Sequence, residues 1–457
     1  MSIDGRRAPH PATWVPSAYL AEGIPFAMVI WVAGTMFKDL GHSDTEITLA
    51  TASVGIMWSL KPLYAGFLDM LRTKRFWVLM MEFVMAALLG VMGLTLALPN
   101  YFHLVMGLLW LLAFASATQD ICVDGIYITT LDKKRQAAWI GFQGAFWNTG
   151  RIFATSLVVL IAGALQKRTG MDAKTAWTVA LSISAAVMAA LGLYHLVRLP
   201  TGSIPERPSG VKEIFSTFGD QVVDFLGKPK ILMMLVFVFL YRFGEGFLLV
   251  EAPLFMQAKL SSGGLGLSLE NKGLIDGLIS TAVSLLGGIA GGAFIARYGL
   301  KRSLVFLACC MNVPHLCYVA LSQLVTPAAP LSFVTIGALV TVEKFGYSFG
   351  FVANMLYMMQ QISPGKYHMT HYAFCTALMN LVLIPTQMAS GPIADALGYR
   401  SFFLFVMFAS VPSIIAAWFA PFPNTPGATS TEAEESAPPA SGENSGESGS
   451  EGAAELA

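Results

Sequence analysis

Charge is what this sequence has least of. Lysine, arginine, aspartate and glutamate make up 12% of its 457 residues, where a soluble domain carries about 25%. Half that density cannot cover a water-facing surface, so most of the surface must face lipid. An excess of either sign is missing too. The 28 basic and 28 acidic residues cancel, which removes the basic surplus a nucleic-acid binder needs. Cysteine is scarce: Cys122, Cys309, Cys310, Cys317 and Cys375 all fall inside apolar runs. Their number is odd and none forms a C-x-x-C pair, so they read as small apolar helix residues rather than as a disulfide framework or zinc site. His-x-x-x-His and Walker patterns are absent, and His368 and His371 read as loop residues. The chain therefore reads as no enzyme, with no catalytic residue, metal or cofactor, and without a nucleotide domain for ATP-driven transport.

What is present is a succession of apolar runs, each close to the roughly 20 residues that span a bilayer core. The first, Trp14 to Thr35, lies behind Arg6 and Arg7 and is too long for a signal-peptide core. Five more come before Val197, and another six between Ile231 and Ala420. The spacing predicts an all-α integral membrane protein of about twelve transmembrane helices. Residues 1–198 form an N-terminal six-helix bundle, 199–230 a central cytoplasmic loop, and 231–421 a C-terminal six-helix bundle. Residues 422–457, rich in Ser, Gly, Glu, Ala and Pro, read as a disordered acidic tail. Arg6, Arg7, Arg72, Lys74, Arg75 and Lys133–Arg135 crowd the loops on one side; Lys38, Lys167, Arg168 and Lys174 are sparser on the other. That bias puts both termini in the cytoplasm.

The halves echo each other. Glu22-Gly23 in "YLAEG" of the first helix matches Glu245-Gly246 in "YRFGEG" of the seventh. A duplicated six-helix unit is the plan of major facilitator transporters, with the substrate site between the halves. The loop "GGAFIARYGLKR" resembles the superfamily's G-x-x-x-D-R-x-G-R-R turn, with Ala296 in place of its Asp; "AGFLDMLRTKR" is a looser copy. Asp69, Arg72 and Arg297 are thus expected to form a cytoplasmic latch.

The few charges at membrane depth are the candidate site. Asp120 and Asp124 lie one turn apart on the fourth helix, where a carboxylate needs a cavity or a partner. Arg151 on the fifth helix is the nearest cation in sequence. Proton coupling or gating falls to Asp120, Asp124, Glu22 and Glu245. Substrate binding falls to Arg151, Arg242, Glu245, Asn148, Lys344 and Gln119, with Trp147, Asn380 and Gln387 as further cavity polar or aromatic groups. Arg242 and Glu245 are spaced to pair; the adjacent Glu343 and Lys344 are expected to point apart. Lys61 is expected to snorkel at a helix end.

"SATQDICVDG" resembles the helix-four signature of AmpG-type muropeptide permeases and the related acetyl-CoA transporters. "EGIPF", "SLKPLYAGFLD" and "LYRFGEGF" are similar to further elements of that family. The resemblance implies a proton-driven carrier of twelve helices. It carries over onto Gln119, Asp120, Asp124, Lys61, Arg242 and Glu245. The chain departs at Gly66, where the family has Pro, and at Gly125-Ile126-Tyr127, where muropeptide permeases have Ala-Trp after the second Asp. The resemblance therefore implies a secondary active transporter for a polar or anionic, muropeptide-like solute in the cytoplasmic membrane, working as a monomer with protons, lipid and a small molecule as its partners. A CoA-thioester or other organic-anion carrier, and a sensor that kept the fold, are the alternatives.

Overall fold

The structure is a computed structural model that describes residues 9–202, 211–365 and 367–423; a few side chains within helices, Asp69 and His368 among them, also lie outside the description. Most of the expected tail, 424–457, is outside it as well. Nine described stretches are long and apolar enough to cross a membrane. We number the membrane helices α1 (Pro11–Asp39), α2 (44–71), α3 (Lys74–Thr95), α4 (Tyr101–Thr130), α5 (133–169) and α6 (Ala173–Arg198) in the first half. The second half holds α7 (Ile231–Gln257), α8 (Leu269–Tyr298), α9 (Leu300–Leu324), α10 (333–362), α11 (368–397) and α12 (399–418). The last two arise from the 49-residue stretch Thr370–Trp418, which Gly398 breaks with φ 70° and ψ 157°. Only glycine takes such a backbone without strain.

Several spans are irregular for readable reasons. Pro25 interrupts the hydrogen-bond ladder of α1, and a π-turn follows at Met28–Val32. α2 breaks at a 3-10 turn, Ala52–Gly55. Further π-turns sit at Phe153–Val158 in α5 and Gly273–Ile279 in α8. Such turns are frequent at functional sites. Residues 199–230, expected as a loop, hold an amphipathic helix, Val211–Leu226. Its Phe225 buries a ring against His371 and Phe374 of α11.

Glycines set the closest helix crossings. A Cβ at Gly23 of α1 would strike the Trp147 carbonyl of α5, and one at Gly150 would strike Leu20 and Gly23 of α1. In the second half a Cβ at Gly246 of α7 would meet Thr386 of α11. The halves meet along α2–α11 and α5–α8. Gly391 lies against Asp44 and Thr48, and Gly277 against Thr155 and Ser156. These contacts seal the end away from the chain termini, here called the far face.

Candidate functional site

A cavity of about 300 Å³ lies between the halves. Its floor and walls are aromatic: Phe26 and Trp31 of α1, Trp58 of α2, Trp147 of α5, Tyr347 and Phe351 of α10. Phe26 packs its ring 5.6 Å from Trp31, 4.8 Å from Trp58 and 5.3 Å from Trp147. Pro25 and the π-turn after it present Trp31 to this space. Two guanidinium groups enter from opposite halves. Arg151 precedes the α5 π-turn and lies 4.6 Å from the Trp31 ring. Its Nε is buried with no hydrogen-bond partner among the described residues. Arg242 sits where α7 breaks after Tyr241, at φ −103°. The carbonyl of Tyr241, freed by that break, accepts from Ser413 Oγ at 2.7 Å.

Arg242 is held from three sides. Its Nε and Nη2 donate to Glu245 at 2.6 and 2.5 Å, Nη1 donates to Asn380 Oδ1 at 3.0 Å, and Phe351 lies under it at 5.0 Å. The bidentate geometry leaves one guanidinium face toward the cavity. Asn380 and Gln387 of α11 complete the polar lining.

The acids form a separate cluster toward the terminus face. Tyr19 donates to Asp124 at 2.7 Å, and Gln143 reaches the same oxygen at 3.5 Å. Asp120 pairs with Lys61. Glu22 is 7% exposed; its Oε2 has no hydrogen-bond partner among the described residues, and Asp124 and Lys61 are the charges that act on it. One lysine thus faces three carboxylates. The nearest cation at membrane depth to the α4 acids in sequence is Arg151. Lys61 of α2 takes that place, so it is a cluster cation and not a snorkelling one.

Three other sequence candidates stand elsewhere. Gln119 donates to Glu82 of α3 at 3.0 Å, in a fully buried network that includes His195, itself 2.8 Å from Glu82 and 2.9 Å from Ser17. Asn148 donates to Gly144 on its own helix. Lys344 lies 3.1 Å from Glu343, so these neighbours turn toward each other; flexible chains allow what helix spacing argues against. Arg72 and Arg297 lie over Phe76 and Tyr298, while the Asp69 side chain falls outside the described residues. Gly125, a departure from the family pattern, has a packing reason: the Lys74 side chain lies across it, 2.5 Å from where a Cβ would stand.

Sequence reading missed Asp276. It lies in the α8 π-turn, accepts from Lys272 at 3.1 Å, and feels Lys344 and Arg151 as well. Lys272 also donates to Thr35 of α1 at 2.8 Å. The signal was available, since "GLIDGLI" is an acid in an apolar run.

Comparison with known proteins fits this architecture. Residues 17–368 match the Major Facilitator Superfamily model. A putative AmpG 4 transporter of Rickettsia conorii is 21% identical over 86% of this chain and 92% of its own. The anhydromuropeptide permease of Escherichia coli is 21% identical over 86% of this chain and 76% of its own. Among solved structures, an inward-facing bacterial homologue of the human lysosomal transporter Spinster superposes with a TM-score of 0.69 at 14% identity, over 89% and 94% of the two chains. The nucleoside transporter NupG gives 0.65 at 16%, over 89% and 98%. Those likenesses speak for the fold alone. Two helical halves around a cavity, a family match across most of the chain and AmpG-type relatives along its length lead to one assignment: the protein is a multi-pass membrane transporter that belongs to the Major Facilitator Superfamily.

Proposed function

We propose that the protein is a proton-coupled carrier of the cytoplasmic membrane, both termini inside, that moves an anionic amphiphile bearing rings. The observation that carries this reading is the pairing of Arg151 and Arg242 across one aromatic-lined cavity. Guanidinium groups bind carboxylates or phosphates bidentately. Indole and phenol faces accept the apolar face of a ring. An anhydromuropeptide, the solute in the name of the E. coli relative, joins sugar rings to peptide carboxylates and offers both features.

The acid cluster supplies the coupling. A proton on Glu22, Asp120 or Asp124 changes how strongly Lys61 is held, and Lys61 rides on broken α2, which lines both cluster and cavity. Residues 1–198 and 231–421 rock as units about the cavity, joined by 199–230, with Asp69, Arg72 and Arg297 latching the terminus face.

The test uses purified protein in proteoliposomes. Arg151→Gln is expected to weaken anhydromuropeptide binding tenfold or more, about 1.5–3 kcal/mol for a charged hydrogen bond, at an unchanged melting temperature. Asp120→Asn is expected to keep binding and lose uptake driven by a proton gradient. Binding without flux in the wild type would make the protein a sensor. Unchanged affinity in Arg151→Gln would remove the cavity as the anion site.

A further inference from the structure

We infer that Glu251 and Asp44 form a proton-binding site within the far-face seal, apart from the Glu22–Asp120–Asp124 cluster, and that the proton held there keeps the seal shut. The inference rests on the carrier reading above but not on which inner acid couples transport.

Glu251 of α7 is fully buried, and both its oxygens lack a hydrogen-bond partner among the described residues. The nearest charge acting on it is the carboxyl of Asp44 at the start of α2, whose Tyr399 partner packs its ring 4.9 Å from Phe255, one turn along α7 from Glu251. Asp44 is 3% exposed and already engaged: Lys38 of α1 pairs with one oxygen, and Tyr399 of α12 donates to the other at 2.5 Å. Asp395 of α11 is the third acid nearby, its Oδ2 taking the Thr45 N–H at 3.1 Å and the Thr45 hydroxyl at 2.6 Å. Helix α8 contributes Lys272, but that ammonium is committed to Thr35 and Asp276. Three carboxyl groups therefore share one available cation, Lys38.

An ionised carboxylate only accepts hydrogen bonds. Two neighbouring buried carboxyl groups can bond to each other only when one carries a proton, and otherwise they repel. The proton would turn the contact from repulsion into a bond. That bond crosses the seam, because Lys38 and Asp44 belong to the first half and Glu251, Asp395 and Tyr399 to the second. Gly391 closes the same seam at backbone contact with Asp44, and Glu251 itself is fully buried there. Loss of the proton then leaves a bare carboxylate with one remedy, which is to part the halves and admit water. Protonation from the far side closes the seal; release to that side opens it.

The experiment reads the gate and not transport. Spin labels go at positions 168, on the exposed far end of α5, and 328, in an exposed turn at the far end of the second half, in full-length protein lacking its five natural cysteines. Electron-electron distances are recorded without substrate between about pH 5 and about pH 9, either side of neutrality. The wild type is expected to gain a long-distance population by about tenfold on going alkaline, and Glu251→Gln to stay short throughout. Should Glu251→Gln not purify, Glu251→Met removes the carboxyl without leaving a buried amide and is expected to lose the pH response likewise. A pH response in Glu251→Gln equal to the wild type overturns the inference. If Asp120→Asn abolishes the response while Glu251→Gln keeps it, the proton site is the inner cluster, and the carrier reading survives alone.

Discussion

The two halves place a glutamate–glycine step at matching points of their first helices and then use it differently. Gly23 lets α1 touch α5, and Gly246 lets α7 touch α11, which are equivalent pairs in the repeat. Three residues earlier stands Tyr19 in one half and Arg242 in the other. Arg242 satisfies Glu245 within its own helix, with Asn380 as third partner. Tyr19 turns instead to Asp124, and Glu22 depends on Lys61 from another helix. The second half thus carries a closed, nearly neutral unit that can hold a fixed guanidinium toward a solute. The first carries three acids under one lysine, an arrangement a single proton can rebalance. Duplication kept the close helix crossing and divided the chemistry.

The comparison breaks hardest at Lys61. Its removal strands Asp120 and leaves Glu22 and Asp124 without a cation, whereas Arg242 serves one acid. Breaking a buried pair costs about 3–5 kcal/mol. Lys61→Met is expected to lower the melting temperature more than Arg242→Met and to abolish uptake, and adding Asp120→Asn is expected to recover part of the stability. Equal melting temperatures for the two single variants would mean that the three acids do not share Lys61.

The glycines sharpen the same contrast. At Gly23 an added methyl meets a backbone carbonyl, which cannot yield; at Gly246 it meets the Thr386 side chain. Overpacking costs about 1–3 kcal/mol. Gly23→Ala is expected to reach the upper end and to separate α1 from α5, carrying Arg151 away from Trp31 and weakening solute binding. Gly246→Ala is expected to cost less and to be partly rescued by Thr386→Ala. Folded yield and affinity of the three variants check this; rescue failing, with Gly246→Ala as damaging as Gly23→Ala, would contradict it.

The fold was largely legible because hydrophobic run length is a one-dimensional quantity, and the Glu-Gly echo marked the repeat. Arg151 and Arg242 were legible as site candidates because a cation in an apolar run has few other reasons to exist. Partners were not. Asp120 pairs with Lys61 of α2, and nothing in the sequence of either helix says which face of α2 turns toward α4. Gln119 belongs to the helix-four signature, yet it faces Glu82, a choice set by helix rotation that the apolar neighbours of α4, hydrophobic on every side, leave open. The amphipathic helix Val211–Leu226 was missed for the opposite reason: the proline-bearing stretch before it masks a period of 3.6.

The smallest test compares how each half joins its last two helices. Asp172, fully exposed before α6, caps it twice over: Oδ1 accepts from the Thr175 hydroxyl at 2.7 Å and Oδ2 from the Thr175 N–H at 3.0 Å. The α11–α12 joint has no such cap and turns on Gly398 alone. The Thr175 hydroxyl, and then its N–H, hold the Asp172 carboxyl below the ordinary carboxylate range. A depressed carboxyl contributes stability that is present above its unfolded-state value and lost as pH falls through its folded value. Asp172→Asn keeps a capping oxygen without the charge. It is expected to lower the melting temperature slightly at neutral pH and to converge with the wild type as pH drops below the carboxylate range. Asp172→Ala is expected to fall further at neutral pH, because the cap goes with the charge. Gly398→Ala, by contrast, is expected to destabilise equally at every pH, since its penalty is backbone strain at positive φ and involves no proton. Thermal melts of the three variants across acid to neutral pH decide it: a pH-dependent Gly398→Ala or a pH-independent Asp172→Asn would show that the two joints do not differ in the way their geometry requires.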